Sequence, residues 1–230
     1  MSLKHLNYVA VAALFLLPTS VSAQNADFSG DWEVSLSAGA NQINDLSWAD
    51  NASFGGTVVT GSGEVTFERG ETVSLSVANR ISENIGLELA ASYAQADYKS
   101  LSGTLTFSGL VNGVLSGSVP VDGSVRSISL VPNAVFYPMG ENKISPYIGA
   151  GAGVSFWKDE VDSVTILGTT LSGSETGTSL TANGIVGIDF EVSDQIAIGA
   201  RYTYAWIKTD VDTLDDPTIH NILASVKIDF

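Results

Sequence analysis

The sequence contains no cysteine, which excludes disulfides, thiolate metal sites, cysteine nucleophiles and a lipid-modified cysteine anchor. It is also poor in positive charge. Ten Lys and Arg stand against 25 Asp and Glu in 230 residues, a formal net charge of −15. Nucleic acid presents phosphates that demand a basic surface, so no nucleic-acid partner is expected. Charge of either sign is scarce, at 15% of residues, while 44% are hydrophobic; that is too apolar for the disorder such acidity would otherwise suggest. No apolar run reaches the roughly 20 residues that a helix needs to cross a bilayer, so a helical membrane protein is excluded. The length suits one domain or two small ones.

The first 23 residues read as a secretory signal. Lys4 and His5 form a polar start, Tyr8 to Leu17 an apolar run, and Pro18 breaks that run. Val21-Ser22-Ala23 then supplies the small residues of a cleavage site, with Gln24 as the expected mature N-terminus. Removing Lys4 leaves 9 basic and 25 acidic residues, or −16.

From residue 24 to 230 the pattern has period two, the signature of strands with unlike faces. Eight segments show it: Trp32–Ala38, Val73–Val77, Ile85–Tyr93, Ile128–Phe136, Ile144–Phe156, Leu180–Phe190, Ile196–Trp206 and Ile222–Phe230. Short connections near 79–84, 138–143 and 191–195 alternate with long ones near 41–70, 96–124, 157–177 and 208–217. Strands joined this way run up and down, with every long loop at one end. Eight of them can close into a barrel, which removes the exposed edges of an open sheet.

A soluble ligand-binding barrel hides its apolar face inside, whereas a membrane barrel turns it toward lipid. The second face separates the two. It reads Tyr147, Gly149, Gly151, Gly153, Ser155 on the fifth segment and Ser179, Thr181, Asn183, Ile185, Gly187, Asp189 on the sixth. A water-facing exterior would be rich in Lys, Glu and Thr, but this face is small and sparsely charged, as a narrow eight-stranded interior requires. Aromatic residues mark both ends of the apolar face: Trp32, Phe136, Phe190 and Phe230 near the short turns, and Tyr93, Phe156, Tyr204 and Trp206 near the long loops. They read as interfacial girdles. The span from Ile144 to Phe156, at ~3.3 Å per residue and tilted about 45°, covers roughly 28 Å, close to an outer-membrane apolar band. The expected fold is an all-β, eight-stranded antiparallel up-and-down transmembrane β-barrel.

The stretch Val131-Pro-Asn-Ala-Val-Phe-Tyr137, a short turn, and Ser145-Pro-Tyr-Ile-Gly-Ala-Gly-Ala-Gly153 resembles the outer-membrane β-barrel domain family, which groups OmpA-type, OmpW-type and opacity-type proteins. The terminal Ala224-Ser-Val-Lys-Ile-Asp-Phe230 looks like the signal such proteins present to the barrel assembly machinery, with Phe230 as its closing aromatic. The resemblance implies a Gram-negative outer membrane, periplasmic termini, long surface loops, and contact with outer-membrane lipids and lipopolysaccharide. It is nearly silent on activity, since the family spans structural proteins, adhesins, small channels and a few enzymes. Pro132 cannot donate to a ladder, so a bulge is expected there. No peptidoglycan-binding domain follows Phe230, so no cell-wall tether is expected.

Inward parity assigns Glu33, Arg80, Glu88, Asp189, Arg201, Lys227 and Asp229 to the lumen. Glu88, Arg201 and Lys227 lie furthest from strand ends. They are expected to pair with one another and hold the lumen closed, since an unpaired buried charge is costly; the alternative is separate solvation of each by lumen water. Most of the negative charge falls to the loops, where Asp210-Val-Asp-Thr-Leu-Asp-Asp216 is densest. It lacks the Gly and closing Glu of a helix-loop-helix calcium site and reads as a solvated loop. Alternating apolar residues in the first two loops (Val58, Val59, Val65, Phe67; Leu101, Leu105, Phe107) suggest hairpins that extend beyond the membrane.

The mature chain has one histidine, His220, placed on the outer face near the long loops without a nearby Ser and carboxylate at triad spacing. No catalytic residue, metal site or cofactor is assigned. The expected role is a non-enzymatic barrel with a structural or surface-interaction function, its loops offering contact to a host or surface ligand. A narrow channel for small or hydrophobic solutes and, behind it, a lipid-modifying enzyme are the other readings.

Overall fold

The computed structural model describes residues 32–54, 56–110, 112–140, 142–166, 169–208 and 215–230. The signal segment 1–23, Gln24, and Asp210 and Asp212 of the acidic loop lie outside the described residues. Among the described residues ten strands follow one another: β1 (Trp32–Ile43), β2 (Leu46–Phe54), β3 (Thr57–Phe67), β4 (Gly70–Ser82), β5 (Ile85–Gly109), β6 (Gly113–Phe136), β7 (Ile144–Ile166), β8 (Thr169–Ser193), β9 (Ile196–Ile207) and β10 (Thr218–Asp229). Eight of them close a ring in the order β1-β4-β5-β6-β7-β8-β9-β10, every pair antiparallel, with β10 returning to β1 through Glu33↔Asp229 to Ile43↔Ile219. Closure satisfies every backbone edge at membrane depth, as hydrocarbon demands.

The alternation sorts residues as the period predicts. On β1, Trp32 and Leu36 face out while Glu33, Ser35 and Ser37 are buried; on β5, Leu87 and Leu89 face out while Glu88 and Ala90 are buried. Apolar side chains that are half or more exposed, such as Leu36 at 50%, Ile148 at 56% and Ile222 at 69%, are normal on a wall solvated by lipid. The interior holds Ser, Thr, Asn and charge.

Three of the four expected surface loops are mainly strand. Segment 41–70 contains β2 and β3, and β5, β6, β7 and β8 run without interruption through 96–109, 113–124, 157–166 and 169–177. The hairpins expected in the first two segments are present; the third was expected as loop, and it pairs as strand past the girdle, from Trp157↔Gly177 to Ile166↔Thr169. Strand β5 shows how the extensions are built. Its first half pairs with β4 (Ser82↔Ile85 to Glu71↔Gln95) and its second half with β3 (Phe67↔Tyr98 to Thr57↔Gly109), with a register shift beyond Asp97. Similar shifts lie at Asp122/Gly123 and near Val161–Val164. Bulges at a barrel rim increase twist and re-aim a strand, so the ring ends there and a four-stranded sheet, β2-β3-β5-β6, projects beyond it.

Pro132 does not form the expected bulge. Leu130↔Val154 and Asn133↔Gly151 keep one register across it, and Leu89↔Pro132 lies in the unbroken ladder to β5. Pro132 points outward, and the ladder absorbs the missing N–H as a local gap rather than an extra residue.

Candidate functional site: the barrel lumen

Three tiers fill the lumen. The tier nearest the short turns is charged and aromatic. Arg201 and Glu88, both buried, meet as a two-pronged pair: the Arg201 terminal nitrogens donate to Glu88 Oε2 at 2.8 Å and Oε1 at 2.6 Å. Asn133 Nδ2 donates to Oε1 at 2.8 Å and Ser76 Oγ to Oε2 at 3.2 Å, so the carboxylate accepts from four donors. Lys227 does not join this pair directly, contrary to the expected three-residue cluster. Its ammonium lies 2.8 Å from Glu33 Oε1 and 2.7 Å from Asp189 Oδ2. The register explains the division, because Lys227 is level with Ser35 and Ala197, whereas Arg201 is level with Leu223, four residues earlier on β10.

Aromatic rings close the remaining space. Tyr137 and Tyr147 are buried with ring centroids 5.7 Å apart; Arg80 sits 4.2 Å over the first ring and Lys227 4.9 Å from the second. Such placements favour a cation where water is excluded. The inward glycines make the arrangement possible. A Cβ at Gly187 would occupy the space of the Tyr147 ring, one at Gly199 that of Asp189, and one at Gly151 that of Asn133. Each missing side chain lets a neighbour lie across its strand toward the axis, so the Gly-rich face is the counterpart of the cluster.

The middle tier is uncharged and hydrogen-bonded. Asn41 donates to Thr72, which donates to Asn221 at 2.8 Å, joining β1, β4 and β10; Ser129 and Ser155 meet at 2.7 Å. The third tier, at the long-hairpin end, is apolar. Ile43, Leu46, Phe67, Ala96, Ile207 and Ile219 form one buried cluster, with Val65, Tyr98, Val125 and Ala205 against it. Phe67 and Tyr98 meet at 5.2 Å between centroids. This cluster is absent from the sequence expectations. Its signal was present in Ile43, Ile207 and Ile219, apolar residues at inward parity just where the outward alternation ends.

Beyond the girdle, burial raises the pKa of Tyr98, with the Asp159 carboxylate beside it adding in the same direction. Burial, and behind it the charge of Glu175, also raises Asp159, against an opposing hydrogen bond from Tyr98.

Of the expected girdle residues, Trp32, Phe136, Phe190 and Phe230 lie exposed at the short-turn end; Phe156 and Tyr204 lie exposed at the other, with Tyr93 and Trp206 half-buried. His220 faces outward. Its Nδ1 lies 2.6 Å from the Tyr202 hydroxyl, and the Tyr204 ring packs edge-on at 5.2 Å. No Ser or carboxylate completes a triad with it among the described residues.

The family model for the outer membrane protein beta-barrel domain matches residues 9–230. The chain belongs to that family, and it resides in the outer membrane of a Gram-negative bacterium. No curated protein matches the sequence. Solved structures are similar in fold at low identity. Neisserial surface protein A is 18% identical, with 86% of this chain and 97% of that chain covered and a TM-score of 0.45. OprG from Pseudomonas aeruginosa is 14% identical over 87% and 96%, with a TM-score of 0.49. The outer membrane protease OmpT from Escherichia coli is 9% identical over 92% and 100%, with a TM-score of 0.50.

Proposed function

We propose that this barrel is a closed, non-enzymatic scaffold that holds a β-sheet surface outside the cell, with structural and surface-interaction roles. The observation that carries the reading is the lumen blocked at two levels. An ion crossing it would have to part the Lys227 and Arg201 pairs, and then pass the apolar cluster at Ile43, Phe67, Ile207 and Ile219. Separating a desolvated pair and wetting an apolar constriction are both costly. Steady conductance by the refolded protein in planar bilayers, responsive to substitutions of the lumen residues, would replace this reading with that of a channel. The flat baseline of a closed pore is the expected result.

The aromatic rings at Trp32, Phe136, Phe190 and Phe230 and at Tyr93, Phe156, Tyr204 and Trp206 serve as the two membrane girdles, and Phe230 as the terminal assembly signal. The lipid-facing wall also supports contact with outer-leaflet glycolipid. Arg126 and Lys158 stand opposite one another across β6 and β7, in a shallow groove with Tyr93, Ile128 and Phe156; Glu160 takes up the Lys158 ammonium at 3.0 Å, so an anionic headgroup would have to share this pair of cations with that carboxylate. His220 has the surroundings of an interfacial side chain. Unchanged lipid A in the His220→Ala strain, by mass spectrometry, is the expected outcome, and an altered species would restore the enzyme reading.

A further inference from the structure

The projecting sheet has two edges, and they are unlike. At the β2 edge Asp50 is exposed, and the backbone of Asp215 donates to the Ser47 carbonyl at 3.1 Å. The β7–β8 hairpin carries Asp159, Glu160, Asp162 and Glu175. Charges and covered backbone are how proteins prevent edge pairing. The β6 edge has neither. β7 pairs with β6 from Val121 onward, so Gly113 to Pro120 has β5 on one side and no strand on the other among the described residues. From Ser100 to Val121 no residue is charged, in a chain of net charge −15.

The edge is also self-complementary. Leu115-Ser116-Gly117-Ser118-Val119 has the same apolar-Ser-Gly-Ser-apolar pattern in both directions about Gly117. Leu115 and Val119 share one face with Gly117; Ser116 and Ser118 share the other, where Ser116 meets Thr104 at 3.0 Å. The apolar face continues across the sheet, Trp48 lying over Gly63 and Gly103 in the row that ends at Gly117. An added Cβ at Gly113 or Gly117 would meet nothing within 4 Å, so the backbone there is open to approach.

We propose that two copies of this chain, held in opposing membranes, join edge to edge through β6, with Gly117 of one copy opposite Gly117 of the other. Antiparallel pairing about Gly117 sets Leu115 against Val119 and Ser116 against Ser118, like face to like face, and brings no charge within the ladder. It also fixes the arrangement in space. Barrel strands tilt about 35–45° from the membrane normal. Two copies in one membrane, related by an axis along that normal, present their β6 strands nearly crossed. A two-fold axis parallel to the membranes makes them antiparallel. The occupant favoured by the edge is therefore a copy on a facing surface, and the contact is homophilic adhesion. This deepens the surface-interaction half of the function proposed above and does not depend on closure of the lumen; an open pore in the conductance experiment would leave it standing.

The test uses the full mature protein in vesicles with the hairpins outward, verified by protease access, and folding of each variant checked by its β circular dichroism. Directly opposed antiparallel residues have Cα atoms about 4.5–5.5 Å apart, inside the roughly 4.4–6.8 Å range of a disulfide, and the chain offers no competing thiol. Two differently tagged populations of Gly117→Cys vesicles are expected to cluster and, on mild oxidation, to yield disulfide dimers containing one copy of each tag. Gly113→Cys, which lies beyond the paired stretch because Val121 of the second copy is already taken by its own β7, is expected to yield at least tenfold fewer. S116K/S118K, which places like charges across the ladder, is expected to reduce clustering by light scattering at least tenfold. No clustering by the native sequence, equal cross-linking at 113 and 117, dimers confined to one population, or clustering that survives S116K/S118K would each overturn the proposal.

Discussion

Glu88→Ala removes the acceptor from the most highly coordinated ion pair in the lumen. Four hydrogen bonds end on that carboxylate, two from Arg201 and one each from Asn133 and Ser76. The Arg201 side chain is 7% exposed, and without Glu88 its guanidinium is left in a narrow interior with no carboxylate in contact. Asp189 and Glu33 are engaged with Lys227. Breaking a buried pair by deleting one partner costs about 3–5 kcal/mol, most of it the penalty of the orphaned charge. Denaturant unfolding from lipid vesicles should show that loss as a lower midpoint with an unchanged slope. Replacing both members, as in Glu88→Met with Arg201→Met, should recover most of the stability, because the desolvation penalty leaves with the charges. Conductance should stay flat in Glu88→Ala, since the apolar tier at the hairpin end is untouched. A loss below about 1 kcal/mol would refute the argument: lumen water would then solvate Arg201 as well as the carboxylate does, and the pair would be worth no more than a surface one.

Phe67→Ala removes a buried ring from the outer apolar tier and should cost about 3–5 kcal/mol; if that tier is the outer barrier, conductance should rise when the substitution is combined with Glu88→Ala in planar bilayers. Ala150→Arg and Val186→Arg place a cation on the exposed wall and should each cost roughly 2–4 kcal/mol near mid-bilayer; tolerance of both in folding titrations would contradict the assignment of faces. Because burial raises Asp159 above its ordinary value, the folded state holds its proton more tightly than the unfolded chain does. Stability at the base of the β7–β8 hairpin should rise as pH falls through the folded pKa of Asp159 and be lost as pH rises above it. Protease protection of that hairpin, followed from neutral to acid pH, should show this gain, and Asp159→Asn should abolish it.

Much of this molecule was legible because a strand repeats every two residues. Trp32, Leu36, Leu87 and Leu89 alternate with Glu33, Ser35, Ser37 and Glu88, so the faces, the eight barrel strands and the outward direction of the apolar side follow from spacing and from the smallness of the second face. The inward charges were legible for the same reason, as parity places Glu33, Glu88, Asp189, Arg201 and Lys227 in the lumen without any knowledge of neighbours. Parity acts along one strand and carries no information about height across the barrel. Only the closed ring brought β9 beside β5 across the lumen to join Arg201 to Glu88, and only the stagger of β10 against β1 gave Lys227 to Glu33 and Asp189. The room taken by Tyr147 and Asp189 likewise comes from Gly187 and Gly199 on other strands. Composition hid the extent of the extensions, because Ser, Gly and Thr read as loop until long-range partners pair them; the uncharged edge at Gly117 became an edge only when β7 stopped short of it. Local periodicity is written into the chain residue by residue, whereas the partners of a side chain depend on strand stagger and closure, which are properties of the assembled sheet.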